Sequence, residues 1–150
     1  MKLQLFCDGG SRGNPGPAAY GYVVYDITDM SLRSSTGAKG DAGIILEKCG
    51  NYIGITTNNQ AEYAGLIAGI KWVIANHPTC QLTIHMDSLL IVNQVKGEYR
   101  VKNADLLPRY QEVRGLLSRL PAWSITHIYR EDNALADSLV NEALDAHQVR

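Results

Sequence analysis

Four acidic residues occupy positions where a carboxylate is costly unless something pairs with it. Asp8 closes the apolar run "LQLFC" and precedes the turn-rich stretch "GGSRGNPGP"; Glu62 lies within "TTNNQAEY"; Asp87 follows "TIHM"; and Asp137 falls inside "REDNALADSL". Two carboxylates a few Å apart in a partly buried site repel by on the order of several kcal/mol, and a raised pKa or a bound cation must relieve that. An all-oxygen set without thiolates or paired histidines suits a hard divalent cation, Mg²⁺ or Mn²⁺. Each acid also has a plainer explanation. Asn59 followed three residues later by Glu62 is a capping-box pattern. Asp87 could cap the helix that begins after it, and Asp137, like Glu131 and Asp132, could complement a helix dipole. On a helical wheel of about 100° per residue, however, Glu62 falls beside Leu66, Gly69 and Val73, and Asp137 lies at the margin of the arc of Leu139, Val140 and Leu144. A cap has no need to face a sheet.

Periodicity predicts the elements that place these acids. Lys2 to Asp8 alternates, with Leu3, Leu5 and Cys7 on one face and Gln4, Phe6 and Asp8 on the other, and Ala18 to Tyr25 is a second strand. The connection "GGSRGNPGP" is too short for a crossover helix, so the two strands form an antiparallel hairpin. Asp26 to Gly43 is polar and broken by glycines, a long surface loop before a third strand somewhere in Ile44 to Ile55. Asn59 to about Asn76 is a helix with the stripe Leu66, Ile67, Ile70, Val73 and Ile74, its small residues Gly65, Ala68 and Gly69 permitting close packing. "QLTIHMD" is a fourth strand, Ser88 to Lys96 and Ala104 to Leu120 are helices, and Pro121 ends the second of these. "WSITHIY" is the last strand and Asn133 to Ala146 the last helix, capped by Asp132 or Asn133. The order βββαβααβα predicts one α/β domain over residues 1–150, a mixed five-stranded sheet with helices on both faces. Strands one and four are expected neighbours, which would bring Asp8 and Asp87 together.

At 150 residues and 45% apolar composition, the chain can bury one substantial core. With 14 basic against 15 acidic residues, overall charge argues neither for nor against a nucleic-acid partner. Six of the 14, Lys96, Arg100, Lys102, Arg109, Arg114 and Arg119, fall in one stretch against only Glu98, Asp105 and Glu112. A solvated helix face and a phosphate-contacting face both fit that excess. Cys7, Cys49 and Cys80 are odd in number and widely spaced, which indicates reduced thiols in a cytoplasm rather than a disulfide framework or a zinc ribbon. The start "MKLQLFCDGG" is no signal peptide and no run approaches membrane-spanning length, so a soluble cytoplasmic chain without a membrane partner is expected.

Gly10-x-x-Gly13-x-x-Gly16 superficially suggests nucleotide binding, but Pro15 and Pro17 bracket the last glycine and a strand follows where a helix would have to open. Together with "CDGGSRGNPGPA", the passages "TTNNQAEYAGLIAGI", "MDS", "VKNADLL" and "H-x-x-REDN-x-x-AD-x-L-x-N-x-A" resemble type 1 ribonuclease H, in order and over nearly the whole chain. The resemblance is to prokaryotic-like members, without a basic helical extension and without an N-terminal hybrid-binding domain.

That resemblance implies a ribonuclease H-like fold and a metal-dependent endonuclease, a hydrolase that cuts the RNA strand of RNA/DNA hybrids and leaves 5' phosphate and 3' hydroxyl ends. It implies a monomer with no obligate protein partner. It assigns Asp8, Glu62, Asp87 and Asp137 as the quartet that holds two Mg²⁺ ions, with Mn²⁺ an alternative and Asp8 the bridging ligand. Two such ions about 4 Å apart can activate a water on one side of a phosphate and stabilise the departing oxygen on the other. Contacts to the RNA strand fall to Gly9, Gly10 and Ser11 with Asn14, Asn58 and Asn59, where a 2' hydroxyl distinguishes RNA from DNA. Thr57 and Asn103 match a pocket that grips a phosphate of the DNA strand. Asn59 is expected to cap its helix as well.

The departures are informative. "KGEYRVKN" leaves no room for the basic extension, so hybrid affinity is expected to be weaker or to rest on Lys96, Arg100 and Lys102 with strong salt dependence. The loop before the last helix is reduced to "YREDN", where Arg130 is better placed to assist a phosphate than His127, a strand residue. Leu89 and Leu90 replace polar residues often found after "MDS". The competing readings are a module that binds hybrids without cutting them, expected to lack one of the four acids, and an integrase-like nuclease, expected to carry further domains.

Overall fold

The first strand, β1 (Lys2–Ser11), buries Leu3, Leu5 and Cys7 completely, as its alternation predicts. In the computed structural model, which describes residues 1–29 and 43–148, it is the middle strand of a five-stranded sheet. β2 (Gly16–Asp26) runs antiparallel to it and β3 (Ile44–Thr56) antiparallel to β2. After α1 (Asn58–Asn76) the chain crosses over to β4 (Gln81–Met86), parallel to β1. α2 (Leu89–Lys96) and α3 (Leu107–Leu117) follow, then β5 (Ala122–His127), parallel to β4, a 3-10 turn (Arg130–Asn133) and α4 (Ala134–Gln148). The order across the sheet, β3-β2-β1-β4-β5, is the predicted mixed sheet with β1 and β4 as neighbours.

The core forms where α1 lies on the face carrying Leu3, Leu5, Cys7, Leu82, Ile84 and Met86, and α2 and α3 extend it through Ile91, Val95, Val113 and Leu117. α4 covers the other face with Val140 and Leu144 over Ala19. Two glycines fix how closely the helices approach. A Cβ on Gly9 would stand 2.3 Å from the Ala61 carbonyl carbon, and one on Gly21 2.5 Å from the Ala136 carbonyl oxygen. Any side chain there would push α1 or α4 off the sheet.

Several boundaries differ from expectation for identifiable reasons. β1 runs three residues past Asp8, because Gly9, Gly10 and Ser11 pair with Tyr20, Ala19 and Ala18 although their composition looks like turn. α3 starts three residues later than predicted: Asn103 Oδ1 accepts from Asp105 N (2.8 Å) and Leu106 N (3.3 Å), closing a turn ahead of Pro108. β5 ends at His127, and the last helix is preceded by the 3-10 turn. Asn133 does not cap it; buried, its Nδ2 donates to Cys7 O at 3.0 Å. Most of the loop predicted for Asp26 to Gly43 lies outside the described residues. Among the described residues no helix is long and apolar enough to cross a membrane.

Candidate functional site

Asp8, Glu62 and Asp87 converge where β1 and β4 lie side by side, beneath the start of α1. One oxygen from each lies within 4.8 Å of the others. Asp8 and Glu62 are 6% and 8% exposed, so neither charge is relieved by bulk water.

The local structure removes two of the plainer explanations. Thr57, not Asn59, is the N-cap of α1: its Oγ1 accepts from Gln60 N at 3.2 Å, so Gln60 holds the capping-box position and Glu62 lies beyond it. Ser88, not Asp87, caps α2, its Oγ accepting from Ile91 N at 3.3 Å. Asp137 keeps its dipole explanation, since it falls in the first turn of α4. It stands apart from the close trio, 3.7 Å from the Arg130 guanidinium and 3.4 Å from Asn141 Nδ2. All four acids line one cavity of about 370 Å³ together with Gly9, Gly10, Ser11 and Arg130.

Burial dominates the electrostatics of the trio. Loss of water, then the charge of Asp87, pushes Asp8 from an ordinary 3.8 up to about 7. Burial, then the charge of Asp8, raises Glu62 well above the usual carboxylate range. Asp87 is raised by burial too, against which the Asn133 amide and the Arg130 charge pull it down. Glu62 Oε2 is buried without a hydrogen-bond partner, and such an atom asks for an explanation. A divalent cation answers it: the donors are all hard oxygens, they converge from three elements, and they carry more negative charge than the protein around them compensates.

A second, larger cavity of about 800 Å³ adjoins the first, and Asn58 belongs to both. Thr57, Asn59, Asn14 and Asn103 line it. Asn58 is a joint: its Oδ1 accepts from Ser11 N (2.8 Å) and Ser11 Oγ (3.0 Å), and its own N–H donates to Asn14 Oδ1 (3.1 Å). The β1–β2 turn is thereby fastened to the start of α1. Every residue assigned by resemblance therefore lines one cavity or the other. Sequence reasoning overlooked Arg12 and Asn141 at the acid cavity, and Gln60, Asp105 and Arg109 at the larger one. The spacing of Asn141 one helical turn beyond Asp137 was a usable signal; the others are close only through tertiary structure. His127 ends β5 half-buried, its ring 6.0 Å from that of Tyr129, and does not line the acid cavity.

The sequence profile of the reverse transcriptase-like family matches residues 6–143. A bifunctional protein of Mycobacterium tuberculosis is 39% identical over 146 residues, 97% of this chain but 36% of that protein, so the chain spans just over a third of that relative's length. Ribonuclease HI of Halobacterium salinarum is 40% identical over 144 residues, 96% of this chain and 65% of that protein. The crystal structure of the RNase H1 from that archaeon matches with a TM-score of 0.82 at 38% identity, covering 97% of this chain and 99% of the solved one. The crystal structure of LC11-RNase H1 in complex with an RNA/DNA hybrid matches with a TM-score of 0.84 at 36% identity, covering 98% and 99%. With motifs, sheet order and whole-domain similarity in agreement, the chain belongs to the type 1 ribonuclease H family.

Proposed function

We propose that this chain is an endoribonuclease that hydrolyses the RNA strand of RNA/DNA hybrids, leaving 5' phosphate and 3' hydroxyl ends. The observation that carries the reading is the convergence of Asp8, Glu62 and Asp87 around an unpartnered buried oxygen of Glu62, at the floor of an open cavity. Asp8, Glu62, Asp87 and Asp137 are its metal ligands, for two Mg²⁺ ions or, in their place, Mn²⁺. Such ions supply Lewis acidity at a phosphate oxygen and a lowered pKa for the attacking water.

The rest of the chemistry belongs to the protein. Asp8 and Glu62 must give up protons to act as ligands, and burial raises both, so protons compete with the cations and metal uptake strengthens as pH rises. Asn133 fixes β1 through Cys7 O, and its amide nearby favours the charged form of Asp87. Arg130, exposed and 3.7 Å from Asp137, holds that acid and presents its remaining N–H groups to a phosphate. At the RNA strand, the N–H and O–H of Ser11 are taken up by Asn58, so recognition of a 2' hydroxyl there falls to the Asn58 amide N–H₂, the Ser11 Oγ lone pairs, and the backbone of Gly9 and Gly10. Asn14 and Asn59 complete that edge, and Thr57 and Asn103 hold a phosphate of the DNA strand. Residues 1–150 act as a single catalytic domain, as a monomer and in the cytoplasm, where the three free cysteines stay reduced.

The test is a strand-labelled substrate panel of hybrid, single-stranded RNA and duplex DNA, incubated with the protein and Mg²⁺ or Mn²⁺. The expected result is cutting of hybrid RNA alone, with 5' phosphate ends. Binding of the hybrid without cutting under both metals would mark a recognition module instead.

A further inference from the structure

The larger cavity contains a charge that neither the sequence motifs nor the resemblance assigns. Arg109 lines it beside Thr57 and Asn103. It also lines a neighbouring cavity of about 630 Å³ with Lys71, but Lys71 is paired with Glu112 at 3.1 Å. Among the described residues, no carboxylate lies within 4.0 Å of Arg109, so it is the one cation on either wall without an ion-pair partner.

Its position is not explained by helix stability. Arg109 falls in the first turn of α3, directly after Pro108, where the positive end of the helix dipole disfavours a cation. It is nevertheless held in place. Its Nε donates to Gln60 Oε1 at 3.1 Å, and Gln60 Nε2 donates to Asp105 O at 2.9 Å, which ties the first turns of α1 and α3 together. One edge of the guanidinium is thus fixed, leaving the Nη groups for a second acceptor.

The neighbouring side chains are arranged in the same sense. Thr57 Oγ1 accepts from Gln60 N, so its own hydrogen is left to donate. Asn103 Oδ1 accepts from Asp105 N and Leu106 N, which turns its Nδ2 into the group available to a ligand. Three donors and one full positive charge face a polar space, a combination that fits a phosphate oxygen pair rather than a base or a sugar.

We propose that Arg109 is a substrate-binding residue that donates a charged fork to a phosphate of the DNA strand, with Gln60 as its positioning residue. The inference rests on the hybrid-nuclease reading and adds to it the source of positive charge in a pocket whose other donors are neutral and whose other charged residue is Asp105.

The experiment measures steady-state kinetics and hybrid affinity across a salt series for wild type, Arg109→Ala, Arg109→Lys and Gln60→Ala, with circular dichroism to verify folding. Arg109→Ala is expected to raise KM by about tenfold with kcat little changed, and to lower the slope of log affinity against log salt by about one, as for a lost phosphate contact. Arg109→Lys keeps the slope and recovers part of the affinity. Gln60→Ala raises KM and keeps the slope, since the charge remains. A scan of single methylphosphonates along the DNA strand identifies the contact: one position weakens wild type and leaves Arg109→Ala unaffected. The proposal is overturned if Arg109→Ala keeps the wild-type KM and salt slope, or if every methylphosphonate weakens both proteins equally. If Arg109→Ala does not fold, Arg109→Gln, which keeps the bulk and removes the charge, takes its place in the kinetics, the salt series and the scan, with the same criteria. A wild-type protein that neither binds nor cuts hybrid overturns the functional reading itself, a result distinct from all of these.

Discussion

The two cavities that meet at Asn58 handle charge in opposite ways. In the smaller one, three carboxylates are pressed together on strands and a helix, with an orphaned oxygen on Glu62. In the larger one, the polar atoms are side chains that already serve as caps and turns, Thr57 for α1 and Asn103 ahead of α3, and each keeps a donor to spare. The first is strained and incomplete without a cation, whereas the second is satisfied within the protein and complete as built. A chain that must both grip a phosphodiester and break one needs both kinds of surface. On the proposed function the grip comes from hydrogen bonds that cost the fold little, with the charge of Arg109 beside them, and the cleavage from a charge cluster that destabilises it.

The contrast can be broken most sharply at Asp8. Asp8→Asn is expected to lower hybrid cleavage roughly 10³-fold or more, since a shared metal ligand is lost, while hybrid binding in a gel-shift assay persists. Cleavage at the wild-type rate by that variant would remove the metal-site argument. The same residue gives the next effect, on stability. Its folded-state pKa is raised, from 3.8 to about 7, so the fold favours the protonated acid. Stability from this source is therefore fully present below about pH 4 and is lost as pH rises toward 7. In EDTA, wild type should lose on the order of 2–4 kcal/mol from this source across that window, and Asp8→Asn should make the curve of melting temperature against pH shallower, leaving the part due to Glu62 and Asp87. Added Mg²⁺ should recover the wild type at pH 8 and leave the variant little changed.

Weaker effects belong to the satisfied cavity. Asn103→Ala removes the donor proposed for the DNA phosphate and should raise KM about tenfold without moving kcat or the EDTA pH profile. A fall in kcat alone would place Asn103 with the chemistry instead. Asn58→Ala should have the smallest effect, a few-fold loss in kcat/KM, because Ser11 and the β1–β2 turn lose one fastening but keep the strand pairing. It alone should touch both regions, and an effect confined to one would show that the joint does not couple them.

Much of this was legible in the sequence because strands and helices carry their own periods. The alternation of Leu3, Leu5 and Cys7, the stripe through Leu66, Ile70 and Val73, and the position of Asp8 and Asp87 at the ends of apolar runs placed three carboxylates correctly before any geometry. The shortfalls share a cause. Gly9 and Gly10 have no side chains to show a period, so the strand they extend looks like turn, and only backbone pairing reveals it. Thr57 took the cap expected of Asn59 because one residue of helix register decides which side chain meets the free N–H groups. Asn133, which looked like a cap, serves β1 instead across a sequence separation of 126 residues. Arg109 read as one of a run of cations, since Gln60 and Asn103 meet it only through the packing of α1 against α3.

The hydrogen bond from Asn133 to Cys7 bears on how far the site depends on the end of the fold. The acceptor lies on β1 and the donor 126 residues later, and Asp137 follows four residues after the donor. Asp8, Glu62 and Asp87 are gathered by β1, α1 and the end of β4, whereas the tether on β1 comes from the 3-10 turn and the fourth acid from α4. Local opening of that turn and helix would leave the sheet paired, while the proposed metal site loses its tether and its fourth ligand.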